Sequence, residues 1–205
     1  MKHLITVGLL IWACSTKELT DTLPIYGNTI YEENDTIYHT IEEFELMDQD
    51  STIITNESMA DKVYVADFFF TSCPTICPQM KAQMLRVYET FEGNDEVAML
   101  SHTIDPIYDT IPLLKNYANR LGANSDQWKF LWGDQDYIYE LAEASYMSIA
   151  DEDSDAPGGF VHSGAFLLVD KDRRIRGIYD GTEAEQVDIL MKDIEKLLKE
   201  YSPDS

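Results

Sequence analysis

The pair Cys73-Pro74-Thr75-Ile76-Cys77, lying where an apolar run gives way to an amphipathic one, constrains this chain more than any other feature. Val63 to Phe70 (VYVADFFF) is rich in β-branched and aromatic residues and reads as a buried strand, closed by Thr71-Ser72. The amphipathic segment that follows predicts a helix, with Pro74 suited to its first position. Cysteines four apart on a helix share a face with Cβ atoms roughly 5–6 Å apart, so they can share a soft metal ion or, with adjustment, close a disulfide. Unpaired backbone N–H groups at a helix N-terminus also stabilise a thiolate and lower its pKa.

A third cysteine, Cys14, ends a stretch that begins with basic Lys2 and continues through the apolar Leu4 to Trp12. In Ile11-Trp12-Ala13-Cys14 a branched apolar residue stands at −3, a small one at −1 and cysteine at +1, the pattern of a bacterial lipoprotein signal. An ordinary signal peptide is the alternative. The apolar run is too short for a bilayer span, which needs roughly 20 residues in a helix. The expected organisation is a signal peptide over 1–13, a mobile tether over 14–35 and one domain over 36–205. Lipidation at Cys14 would hold that domain outside the cytoplasm, on a bacterial membrane facing the periplasm or exterior. Cys73 and Cys77 would then be the only free thiols, in a compartment where thiols usually oxidise.

Acidic residues number 38 against 15 Lys and Arg, a net charge of −23. Such a balance argues against nucleic acid as a partner and against adhesion to anionic lipid through a basic patch. The acidic runs Glu32 to Asp35, Glu42 to Asp50 and Asp151 to Asp155 read as solvated loops.

Further elements follow from periodicity. Thr36 to His39, Phe44 to Met47 and Ser51 to Thr55 read as short strands, with Asp48-Gln49-Asp50 as a turn. Val97 to Ile104 is a second buried strand, after which Asp109 or Thr110 can cap a helix ending at Leu121-Gly122. Trp128 to Trp132 is a short strand, Asp136 to Tyr146 a helix, Ala165 to Asp170 with Ile175 to Tyr179 a hairpin, and Glu185 to Tyr201 a last helix. This order predicts an α/β chain with a thioredoxin-like fold and extra N-terminal strands.

Four motifs occur in order: Phe70-Thr71-Ser72-Cys73-Pro74-Thr75-Ile76-Cys77-Pro78, Asp105-Pro106-x-x-Asp109-Thr110, Phe130-Leu131-x-Gly133, and His162 leading into the hairpin strand. With them the chain, from about Leu23 to its last helix, resembles the Sco/SenC copper proteins associated with cytochrome c oxidase assembly. The resemblance implies a thioredoxin-like fold and copper held by Cys73, Cys77 and His162. Two thiolates and an imidazole make a soft set suited to Cu(I) and, with added ligands, to Cu(II). His102 is a rival third ligand, and Met80 and Met84 are either core or extra soft ligands. Many family members carry an acidic residue directly before this histidine, where Val161 stands here. Asp151 to Asp155 could substitute only if the glycine-containing loop folds back.

The function implied is a membrane-tethered copper chaperone rather than an enzyme. It would bind one copper and deliver it to the dinuclear copper site of a terminal cytochrome oxidase. Its partners would be the copper-accepting oxidase subunit and, further, another copper carrier or a thiol reductase. The alternative is a thiol-disulfide oxidoreductase in which Cys73 and Cys77 reduce the oxidase's own copper-binding cysteines. A thiol peroxidase is disfavoured because Phe70, not Thr or Ser, stands three residues before Cys73.

Overall fold

The computed structural model describes residues 22–33, 35–154 and 156–202. The expected signal peptide and Cys14 lie outside them. Two short ladders come first: β1 (Ile30–Tyr31) pairs with β2 (Thr36–Ile37), and β3 (Glu45–Met47) with β4 (Ile53–Thr55). The Asp48 carboxylate makes the second turn by accepting from the N–H groups of Asp50 and Thr52 at 2.8 and 3.0 Å. The main body follows as β5 (Val63–Phe69), α1 (Cys77–Phe91), β6 (Val97–Thr103), α2 (Ile111–Leu121) and β7 (Trp128–Leu131). Then come α3 (Gln135–Glu140), which runs into a π-helical turn at Leu141–Ser145, and the strands β8 (Ala150–Glu152) and β9 (Phe160–His162). β10 (Ala165–Val169), β11 (Ile175–Asp180) and α4 (Ala184–Glu200) complete the chain.

The five-stranded sheet has the order β11-β10-β5-β6-β7. β5, β6 and β7 are parallel, whereas β10 runs antiparallel to both β5 and β11. Every residue of β5 and β6 is buried, as central strands covered on both faces require. On one face lie Asp67 and Phe69 under α1, with α4 packed beside α1. On the other, Phe68 and Tyr64 meet Tyr146 just after the π turn. This is the thioredoxin-like arrangement expected, with β1 to β4 added at its N-terminal side. Gly133, in the third motif, has a packing reason: a Cβ there would stand 2.4 Å from the Leu46 side chain.

Three expectations need correction. α1 begins at Cys77, not Pro74, and residues 74–76 only bend the chain ahead of it. Both prolines suit a helix start, but Pro78, within the first turn, lacks an N–H where none would find a helical acceptor, and Ile76 O accepts the first bond from Met80 N at 2.9 Å. The segment 22–26, expected within a mobile tether, is docked. Leu23 is buried, its N–H donates to Glu200 at 2.7 Å, and Tyr26 N–H donates to Ile175 O at 2.8 Å. Arg176 donates to the carbonyls of Leu23 and Pro24 at 2.7 and 3.0 Å while pairing with Asp170 and Glu200. Finally, Asp151 and Glu152 are not loop residues but form β8, whose ladder sets Ala150 opposite His162 and Glu152 opposite Phe160.

Candidate metal centre

β5 delivers the chain to the C-terminal end of the parallel strands, where open α/β sheets place their ligand sites. There Phe70 closes the core, Cys73 N–H turns back to Phe70 O at 3.3 Å, and Cys77 opens α1. The β8–β9 hairpin folds over this turn and brings His162 to it. Gly158 permits the approach: its φ of 91° favours glycine, and a Cβ would stand 2.9 Å from the Phe70 ring and 3.1 Å from Pro74. The ring of Phe70 packs at a tilt against Phe160, centroids 5.1 Å apart, and meets His162 edge-on at 5.8 Å, so hairpin and strand share an aromatic seam.

The ligand atoms of Cys73, Cys77 and His162 all lie within 4.8 Å of one another. His162 Nε2 stands 3.1 Å from Cys77 Sγ and 3.9 Å from Cys73 Sγ. Its Nδ1 lies 3.2 Å from the carbonyl of Ser163, a contact that orients the ring with Nε2 facing the sulfurs. A carbonyl therefore orients this imidazole, where an acidic neighbour was considered from sequence. Glu152 does not substitute for one; its carboxylate accepts from Gln135 Nε2 at 3.0 Å.

The two thiols differ. Burial pushes the Cys73 thiol up, but hydrogen bonding to His162 and to the backbone and hydroxyl of Thr75 outweighs it and brings the pKa down to about 6. Burial pushes the Cys77 thiol well above its ordinary range, and the adjacent Cys73 sulfur adds to the effect. The imidazole stands nearer Cys77, yet Cys73 is the acidic member because it is less buried and has the Thr75 donors. The sign sets the pH dependence: thiolate forms as pH rises through the pKa, so Cys73 should alkylate readily at pH 7. Cys77 should stay protected to pH 9, which mass spectrometry after iodoacetamide pulses can read. Faster labelling of Cys77 than of Cys73 would reverse this assignment.

Other sequence candidates fall elsewhere. His102 is fully buried in β6, stacked on Phe68 at 4.8 Å, with Nδ1 3.2 Å from Asp67 O, and burial lowers its pKa to about 4. It is not in the cluster. Met80 and Met84 are fully buried in the core. Thr110 holds the N-cap position of α2 without a side-chain cap. Asp109 instead accepts from Thr71 N–H at 3.0 Å, from the Thr71 hydroxyl and from the Thr103 hydroxyl at 2.6 Å, fastening the β6–α2 loop to the residue two before Cys73.

Sequence reasoning missed a pair beneath the site. Lys81, one turn after Cys77, is buried with its ammonium 2.5 Å from Asp67 and 2.8 Å from Ser101 Oγ, and 4.0 Å from the Phe69 ring centroid. Ser101 also donates to Asp67 at 2.5 Å and accepts from Trp128 Nε1 at 3.0 Å. The signal available was a lone Asp inside an apolar strand and a Lys on the buried face of the next helix.

Known proteins carry the same architecture. The SCO1/SenC family model matches residues 32–199. The SCO1 protein homolog of Bacillus subtilis is 32% identical over 162 residues, covering 78% of this chain and 83% of that protein. The crystal structure of a SCO1/SenC family lipoprotein from Bacillus anthracis aligns with a TM-score of 0.72 and 26% identity, over 78% of this chain and 95% of the other. BsSco, described as a member of the Sco family of cytochrome c oxidase assembly proteins with a disulfide switch, aligns with a TM-score of 0.69 and 31% identity, over 78% and 94%. A match that spans both cysteines, the histidine and all five strands of the main sheet makes this chain a member of the SCO1/SenC family.

Proposed function

We propose that the chain binds one copper ion through Cys73, Cys77 and His162 and hands it to the dinuclear copper site of a terminal cytochrome oxidase, while held to a membrane through lipidated Cys14. The observation that carries the reading is the convergence of two sulfurs and one imidazole nitrogen within 4.8 Å, on two segments that are joined only by packing. That donor set fits copper: three soft ligands match trigonal Cu(I), whereas zinc in a structural site takes four. Membership of the family, and its resemblance to oxidase-assembly copper proteins, supports copper as cargo and the oxidase as destination. Cys73, the more accessible and more acidic sulfur, is the one placed to exchange first with an incoming ligand.

Titration of the reduced protein followed by X-ray absorption should show one copper per chain with two sulfur neighbours and one nitrogen neighbour. A stoichiometry of one copper per two chains, or a sulfur-only shell, would defeat the proposed site. Cys14→Ala should release the protein from membranes, read by fractionation after a high-salt wash.

A second reading, thiol-disulfide exchange on the oxidase's cysteines, draws on the contrast between an acidic Cys73 and a protonated, buried Cys77. This is the division between attacking and resolving thiols. The two separate in a deletion strain. Added copper should restore oxidase activity if delivery is limiting, and a small-molecule thiol if reduction is.

A further inference from the structure

Two of the most exposed large apolar side chains in the described residues, Ile107 and Tyr108 at 79% and 59%, stand side by side on the loop between β6 and α2. The loop is not loose. Asp109 N–H donates to Asp105 O at 2.8 Å, Trp132 Nε1 donates to Pro106 O at 2.9 Å, and Asp109 is fastened to Thr71 and Thr103. A rigid frame thus holds apolar surface out in water, where it contributes nothing to folding.

Ile107 and Trp132 line one groove whose other wall is the start of α3, with Asp134 and Asp136 exposed on it. Glu152, tied to Gln135, adds a further carboxylate beside Asp105. Among the described residues, no Lys, Arg or His lines this groove. Burial, and then the nearness of Asp109 and Glu152, push the Asp105 carboxyl up, so the groove's surroundings are acidic on this side too. Both walls also connect to metal ligands: the loop joins Thr71, two residues before Cys73, and Gln135 at the start of α3 bonds Glu152 of β8, which pairs with β9, ending in His162.

We propose that this groove docks the copper-accepting partner, through an apolar segment of that partner flanked by Lys or Arg, beside the centre from which the ion leaves. The proposal rests on the copper-transfer reading above. Charge chooses the occupant: a second copy of this chain would bring the same carboxylates and a net charge of −23, whereas a basic rim answers Asp134, Asp136 and Glu152.

The test follows Cu(I) transfer from the detergent-solubilised full chain to the copper-accepting oxidase subunit of the same organism, and separately to bathocuproine disulfonate. Ile107→Ser/Tyr108→Ser should slow transfer to the subunit about tenfold, as loss of a small apolar anchor does, and leave transfer to the chelator unchanged. Asp134→Asn/Asp136→Asn should flatten the fall in wild-type rate with added salt. Wild-type rates for both variants with the subunit would overturn the docking site. Equal slowing with the chelator would also overturn it, by placing the defect in the metal centre. A wild-type dimer that the apolar variant turns monomeric on sedimentation would assign the groove to a second copy. If the wild-type chain transfers nothing to the subunit but delivers to the chelator, the oxidase reading fails and takes this surface with it.

Discussion

His162→Ala is expected to cost on the order of a hundredfold or more in Cu(II) affinity, because removing partners that merely orient a ligand already costs about 10–100-fold. The loss in Cu(I) affinity should be smaller. Cys73 and Cys77 remain, and two thiolates satisfy the softer ion better than the harder one. Competition titrations in each oxidation state measure both. The centre should otherwise stay intact, since the tilted Phe70–Phe160 contact and the β8–β9 ladder survive the loss of the imidazole. Unchanged Cu(II) affinity would remove His162 from the ligand set. The same variant also divides the two functional readings, because it cripples copper holding and leaves both thiols in place. If it fully restored a deletion strain at limiting copper, thiol exchange would replace delivery as the function.

Asp67→Ala is expected to destabilise the fold by about 3–5 kcal/mol, the usual cost of stranding one member of a buried ion pair. Lys81 is 2% exposed, and without Asp67 its ammonium keeps only the Ser101 hydroxyl and the aromatic faces of Phe69 and its neighbours. Asp67→Ala/Lys81→Met should recover most of that loss, since an unpaired charge no longer has to be buried and methionine fills the channel left by the lysine stem. Urea unfolding gives both numbers. A loss under about 1 kcal/mol for the single variant would mean that solvent reaches Lys81, contrary to its burial. Lys81 sits one turn beyond Cys77 on α1, so the first helical turn should loosen with it, and the metal site would report the damage through weaker copper binding.

The parts of this molecule that sequence makes legible are those that repeat a local rule. Val63–Phe69 and Val97–Thr103 are unbroken apolar runs because both faces of a central parallel strand are covered, and Gly122 ends α2 in a left-handed conformation, φ 71°, as its position predicts. The cysteines announce themselves by type and spacing. His162 gains its weight from the family resemblance, since a lone histidine has no period.

What stayed hidden depends on residues far apart in the chain. β8 reads as a charged loop because Asp151 and Glu152 are exposed on both sides of the strand, and only the ladder to Phe160–His162 makes it one. The docking of residues 22–26 is decided by Arg176, some 150 positions later, which recognises backbone carbonyls that every residue has. The start of α1 was ambiguous for a different reason. Two prolines four residues apart, one on either side of Cys77, both satisfy the rule for a first turn, and the turn closing on Phe70 decides between them.

The strap at Leu23–Tyr26 gives the domain a defined back and front. It joins the body where Ile175 and Glu200 lie, at the end of the sheet where Val169 faces Tyr64, while the sulfurs crown the opposite end of β5. Seven strand residues separate the two poles by about 23 Å. The nine residues from Cys14 to Leu23 add at most about 30 Å when fully extended. The anchor proposed at position 14 would therefore act like a mooring line fixed to the stern, with the cargo carried at the bow. Under the proposed delivery, an acceptor would have to offer its copper site within a ceiling of about 50 Å above the headgroups, and shortening the line would lower that ceiling without touching a single ligand.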